Sequence, residues 1–161
     1  FPCQDISPAG KRAGLDGVHS GLWAHFAEAI RVVRPRFVVV ENSTSLLVRG
    51  MDVVLGDLAA SGFDAEWDCI PAAAVGAPHL RARLFLLAYP SGLRDEADDA
   101  VQAGWDVPQL RPGWPAEPDV GRVDDGPPYV VDSAQRLHAI GNAVVPAVAE
   151  VVGRRLLEVA A

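Results

Sequence analysis

The stretch Arg36-Phe37-Val38-Val39-Val40-Glu41-Asn42 decides how this chain is read. Its β-branched centre is short, apolar and bounded by charge, the pattern of a strand buried on both faces in a parallel sheet. Pro35 stands just before it and closes the helix expected upstream. Ser20 can cap that helix, which runs to about Arg34 with Leu22, Phe26, Ala29, Ile30 and Val33 on one face. Downstream, a second helix fits Met51 to Ala60 and is closed by Gly62. Phe63 to Ile70 and Ala82 to Ala88 read as two further strands, joined by a loop containing Pro and Gly. A last helix begins near Val145-Pro146, with Pro146 in its first turn. The order helix, strand, helix, strand, strand favours an open α/β sheet with an antiparallel pair at one edge.

Composition bounds the function classes. The 161 residues suit one domain, half of them are hydrophobic, and 14 basic against 21 acidic side chains give a net charge of −7. No apolar run approaches a membrane span, and no basic, then apolar, leader opens the chain. Two cysteines, Cys3 and Cys69, exclude a disulfide framework and a CxxC zinc cluster, and reduced thiols in the cytoplasm are the plain reading. The four histidines have no ligand spacing with cysteine or carboxylate, so no metal is expected. No GxGxxG follows a strand, which disfavours a nicotinamide cofactor. The charge is uneven: residues 1–90 carry −1, residues 91–135 carry −7, and residues 136–161 carry +1. The middle stretch also holds 6 Pro and 5 Gly without sustained periodicity. The chain therefore divides into a core at 1–90, an irregular acidic insert at 91–135 and a C-terminal helical segment at 136–161. It begins on Phe1 rather than Met, with Cys3 almost at the end, so a piece of a longer protein is expected.

Four places carry residues with chemistry to offer. Pro2-Cys3-Gln4 is followed by Ser7, Gly10, Lys11, Arg12, Gly14 and Gly17. A thiol beside a flexible loop with two cations suits a nucleophile, because the cations favour the reactive thiolate; a free cysteine in a glycine loop has the same sequence. Glu41-Asn42 ends the apolar strand, and ligands of open α/β sheets bind at the carboxyl ends of strands. The same residues, with Ser43 and Thr44, also suit a turn or a helix cap. Arg81-Ala82-Arg83 opens a strand, where alternation puts both guanidiniums on one face, fit to fork onto a carbonyl or phosphate. A solvated strand entry reads alike. Gly141-Asn142-Ala143-Val144-Val145-Pro146 is a glycine turn into a helix whose first N–H groups are open to a ligand, and also an ordinary helix start.

In that order, Pro-Cys-Gln, Glu-Asn after a Val-rich strand, Arg-x-Arg and Gly-Asn-Ala-Val-Val-Pro resemble the cytosine-5 DNA methyltransferases. Ser20-Gly21-Leu22-Trp23, Arg34-Pro35, Gly62-Phe63 and Gly76-Ala77-Pro78-His79 look like that family too. The resemblance covers residues 1–90 and about 120–150. It implies a partial Rossmann-like sheet of the S-adenosylmethionine-dependent methyltransferases, lacking its first strands. It also implies methylation of double-stranded DNA in a restriction–modification or phage system, in the cytoplasm of a bacterium or phage-infected host. Members flip the target base out of the duplex. By resemblance, Cys3 as thiolate would add to carbon 6 of cytosine and make carbon 5 nucleophilic. Glu41 would bond the ring N3 and exocyclic amine, and Arg83, with Arg81 nearby, the base carbonyl or adjoining backbone. Gln4 to Gly17, including Ser7, would be a mobile loop closing on DNA, with Lys11 and Arg12 near phosphates. Asn142 and Val144 match the last family motif, which returns to the cofactor pocket.

The departures carry their own expectations. The family's glycine-rich first strand turn, and the acidic residue after its second strand, have no counterpart in this chain. Most of the S-adenosylmethionine site is therefore expected to be missing and the isolated chain inactive, with the absent N-terminal half, as a separate chain, a partner. Ser43 stands where the family usually has Val. The acidic segment 91–135 occupies the target-recognition position, although DNA contact calls for cations. Trp105 and Trp114 within it either pack locally, the favoured reading, or stack on a base. Two other functions stay open: methylation of tRNA cytosine, and a non-catalytic remnant or subunit that acts only with a partner chain.

Overall fold

A computed structural model of the chain describes Phe1 and residues 21–93, 105–107 and 143–161. Its three strands are β1 (Val38–Ser43), β2 (Phe63–Ile70) and β3 (Arg83–Pro90); its α-helices are α1 (Leu22–Val33), α2 (Met51–Ala60) and α3 (Pro146–Ala160). Every residue of β3 from Leu84 to Tyr89 is buried. Alternation sends Leu84, Leu86 and Ala88 to one face and Phe85, Leu87 and Tyr89 to the other, and each set joins a separate core. On the first face Trp23, Ile30, Val54 and Leu58 of α1 and α2 cover Val38, Val40, Leu84 and Leu86. On the second, Val148, Val151 and Val152 of α3, with Trp105, cover Phe85 and Leu87. Helices on both faces explain why β3 reads as an unbroken apolar run.

The sheet order is β1-β3-β2, and β3 runs antiparallel to both neighbours. The expected antiparallel pair of Phe63–Ile70 with the Arg83 strand is present, but it does not stand at the edge of a parallel sheet. β3 lies in the middle of the three described strands, and β1 is paired antiparallel to it. Nor is β1 buried on both faces: Val38 and Val40 are buried but Val39 is 43% exposed, so its apolar run reports neither full cover nor the direction of the neighbouring strand. β1 and β2, each opposed to β3, run the same way as one another, so α2 connects two like-directed strands with β3 inserted between them.

The helices match the sequence reading in extent more than in facing. α1 ends where Arg34 turns left-handed (φ 50°) and its N–H closes on the carbonyl of Ile30 at 2.9 Å, just before Pro35. Its N-cap is Gly21; Ser20 lies outside the described residues. The buried side of α1 is Trp23, Ala27 and Ile30, whereas Leu22, Phe26, Ala29 and Val33 face outward. Two apolar stripes compete on this helix. The one carrying the indole wins, because Trp23 buries a large ring and its Nε1–H reaches the Asp57 carboxylate of α2 at 2.8 Å. α2 has the expected limits, and Gly62 (φ 81°) makes the turn into β2 that a side chain would strain. Two 3-10 turns, Thr44–Val48 and Ala72–Val75, lay beyond the sequence reading.

α3 is fastened to β2 by charge as well as by its apolar face. The Arg155 guanidinium grips both oxygens of Glu66 at 2.6 and 2.8 Å and reaches Glu158 at 2.9 Å, which raises its proton affinity above that of an ordinary arginine. Two residues further along β2, Asp68 accepts the backbone N–H of Trp105 at 2.9 Å. Trp105 is 7% exposed within the α3 core, so it packs locally; Trp114 lies outside the described residues. Among the described residues, no helix is long and apolar enough to cross a membrane.

Candidate functional site

Strand register builds the centre of the site. In the β1–β3 ladder Glu41 stands opposite Phe85 and Ser43 opposite Arg83, which makes Glu41 and Arg83 diagonal neighbours on one sheet face. Diagonal positions are within reach of long side chains, and Arg83 Nε lies 3.2 Å from Glu41 Oε1. The two side chains are 28% and 35% exposed, so the pair is anchored yet open to a ligand.

Arg81 reaches the same place by another route. β3 begins at Arg83, so strand alternation does not align the two arginines; Arg81 precedes the strand with a left-handed backbone (φ 29°). Its guanidinium donates to the carbonyl of Ala143, on the approach to α3. A shallow cleft there is lined by Arg81, Arg83, Val144 and Val145 over a floor of Ile70, Phe85 and Val148. Partial burial, then the charge of Arg83, lowers the proton affinity of Arg81, and Glu41 opposes that shift. Glu41, Arg81, Arg83 and Val144 are therefore brought together, as one carboxylate acceptor and two forked donors beside an apolar floor. Such a set can hold a flat polar ligand that offers donors and an acceptor along one edge.

The sequence marks Asn42 as a strand-end residue beside Glu41 or as a cap, but not the tie it makes to Phe1. Asn42 is 2% exposed, the one buried polar side chain among the described residues. Its Oδ1 accepts the Ser43 N–H at 2.8 Å, the local bond expected of a cap, while its Nδ2 donates to the carbonyl of Phe1 at 3.2 Å. The second bond joins positions forty-one residues apart, and no local pattern signals it. Cys3, Gln4, Ser7, Lys11, Arg12 and Asn142 lie outside the described residues. Among the described residues, no group of three or more His, Cys, Asp or Glu side chains could hold a metal.

A model of the C-5 cytosine-specific DNA methylase family matches residues 1–112, and the chain belongs to that family. Similar proteins include the type II methyltransferase M.CviJI of Paramecium bursaria Chlorella virus IL3A, 36% identical over 89 residues, 55% of this chain and 24% of the relative. M2.BsuMI of Bacillus subtilis (strain 168) is 31% identical over 140 residues, 82% of this chain and 32% of the relative. M.Sau3AI of Staphylococcus aureus is 34% identical over 103 residues, 58% of this chain and 25% of the relative. The chain thus spans about a quarter to a third of the length of these relatives.

Proposed function

We propose that this chain is the base-handling portion of a restriction–modification DNA methyltransferase that methylates carbon 5 of a flipped cytosine. The observation that carries the reading is the half-open Glu41–Arg83 pair at 3.2 Å beside the cleft. Cytosine presents a carbonyl oxygen, the ring N3 and an amine along one edge. Glu41 accepts from the amine and relays a proton from water to N3 as the thiolate attacks, and so neutralises the negative charge that attack puts on the ring. Arg83 donates to the carbonyl, with Arg81 at its side.

Cys3 is the nucleophile. Its thiolate bonds carbon 6, and the electron pair of the 5,6 double bond moves to carbon 5, which becomes the attacking centre. When carbon 5 has been methylated, a base removes its proton, the double bond re-forms and the thiolate leaves. Chain connectivity supports this assignment: Asn42 holds the Phe1 carbonyl at the end of β1, and two residues of chain span at most about 7 Å. S-adenosylmethionine, when bound, supplies the methyl group. Val144, 42% exposed at the cleft, is the described residue that fits contact with it, and Asn142 is its companion by sequence. Lys11 and Arg12 neutralise phosphates of double-stranded DNA, with Gln4 and Ser7 in the same loop.

The isolated chain does not turn over, because a cofactor pocket needs more of the fold than a quarter to a third of a relative's length provides. The missing part acts with it, in the cytoplasm of a bacterium or phage-infected cell. The test is methyl transfer to duplex DNA and to tRNA by the enzyme reconstituted with its cofactor-binding half. Transfer to DNA that is lost in Cys3→Ala and in Glu41→Ala is expected. Transfer to tRNA alone, or undiminished transfer in either variant, would overturn the proposal.

A further inference from the structure

We infer that Arg81 is a positioning residue, whose hydrogen bond to the Ala143 carbonyl sets the segment 143–145 against the Glu41–Arg83 pair. This rests on the reading of Glu41 and Arg83 as base-handling groups and of Val144 as a cofactor contact, and it deepens that reading. Three observations carry it. Arg81 adopts a left-handed backbone, which a non-glycine residue holds only where its surroundings enforce it. That turn carries the guanidinium across to Ala143, sixty-two residues along the chain. Val144 and Val145, the next two residues, line the same cleft as Arg83. Val145 is the N-cap of α3, and its carbonyl accepts the N–H groups of Val148 and Ala149 at 3.0 and 3.1 Å. A cation that grips Ala143 therefore fixes both the start of α3 and the wall that faces the acid–arginine pair.

The functional consequence is a register between two halves of the site. The Glu41–Arg83 pair is set by the β1–β3 ladder, whereas Val144 is set by α3 and by whatever holds the chain before it. Val145 packs against the sheet core, whereas Val144 is half-exposed and the helix has no side-chain N-cap. Among the described residues, Arg81 adds a polar tie at Ala143, from the residue pair immediately before Arg83. The motif Arg-x-Arg thereby divides its work: Arg83 faces Glu41, and Arg81 reaches across to the segment leading into α3.

Amide hydrogen exchange on the 161-residue chain tests this without reference to catalysis. Arg81→Met keeps the stem and removes the donors; Arg81→Lys keeps a charged donor of similar length. In Arg81→Met the amides of Val148 and Ala149 are expected to exchange about tenfold faster, the ratio carried by a charge-assisted hydrogen bond at the low end of its range. Leu86 and Leu87 in β3 keep wild-type protection, and Arg81→Lys recovers most of the loss at α3. Unchanged exchange at Val148 and Ala149 overturns the proposal, as does equal acceleration in both variants. Uniform acceleration through β3 also overturns it, because that marks general destabilisation. Failure of methyl transfer in the reconstituted enzyme with these exchange results intact would instead remove the base-handling reading and leave the tie standing.

Discussion

Replacing Glu41 with Gln separates a catalytic carboxylate from a structural one, because the two roles predict opposite balances of stability and activity. The pair Glu41–Arg83 is 3.2 Å long, but its side chains are 28% and 35% exposed. Two unit charges at this range attract by about 4 kcal/mol at the effective dielectric of a protein surface, and desolvation and side-chain ordering offset most of that. Exposed pairs retain about 0.2–1 kcal/mol, so Glu41→Gln is expected to lower stability by less than about 1 kcal/mol, a midpoint shift of about 2–4 °C. The amide keeps the shape and one acceptor, yet it cannot neutralise the charge that forms on the base ring. Removal of one preorganised charge-stabilising group costs about 10²–10³ in kcat, or about 3–4 kcal/mol of barrier. Urea unfolding of the chain gives the first number, and methyl transfer to duplex DNA by the reconstituted enzyme gives the second. A stability loss above about 3 kcal/mol, or a kcat within about threefold of wild type, would refute the argument.

Other perturbations test the frame around the site. Glu66→Ala strips Arg155 of its two-point partner while Glu158 remains, so a loss of about 2 kcal/mol is expected in urea unfolding, below the range for a fully buried pair. The double variant Glu66→Ala/Arg155→Met should recover part of it, and strictly additive losses would contradict the coupling. Trp105→Ala is expected to lower stability by about 3 kcal/mol and to speed exchange in α3 more than in α2; an effect under about 1 kcal/mol would show that the ring is not a core residue. Burial, and then the charge of Asp68, raises the pKa of the Cys69 thiol. A pKa raised in the folded chain contributes stability that is complete below the unfolded thiol value of about 8.5 and fades as pH rises through the folded value. Wild type should therefore lose stability more steeply than Cys69→Ala above pH of about 8.5, and parallel curves would exclude this.

Much of the frame could be read from local patterns. Pro35, Gly62 and Pro146 punctuate the chain where α1, β2 and α3 stop or start, because each acts through its own backbone. The direction of β1 and the face of α1 could not be read in the same way. The first depends on β3 being inserted between β1 and β2, and the second on Trp23 finding Asp57 thirty-four residues away. At the site, Glu41 and Arg83 were found as strand-end residues, and the diagonal register explains why they meet. Arg81 was placed near them for the wrong reason: it lies outside the strand and bonds Ala143 from a left-handed turn. The tie from Asn42 to Phe1 could not be read, because the two are remote in sequence. The acid–arginine pair was legible from residue type and position, whereas the ties that hold it in place are long-range.

Addition of Cys3 to a flipped cytosine presented by Glu41 is the step on which the proposed function rests. In the proposed reaction carbon 5 must lose a proton before the thiolate leaves; fluorine at that carbon cannot depart as a cation, so the adduct would persist. The direct measurement is peptide mass spectrometry of the reconstituted enzyme after reaction with S-adenosylmethionine and duplex DNA in which 5-fluorocytosine replaces cytosine. One methylated nucleotide adduct on Cys3 is expected, with a much reduced yield in Glu41→Gln. An adduct on Cys69, or none on either cysteine while unmodified DNA is methylated, would contradict it.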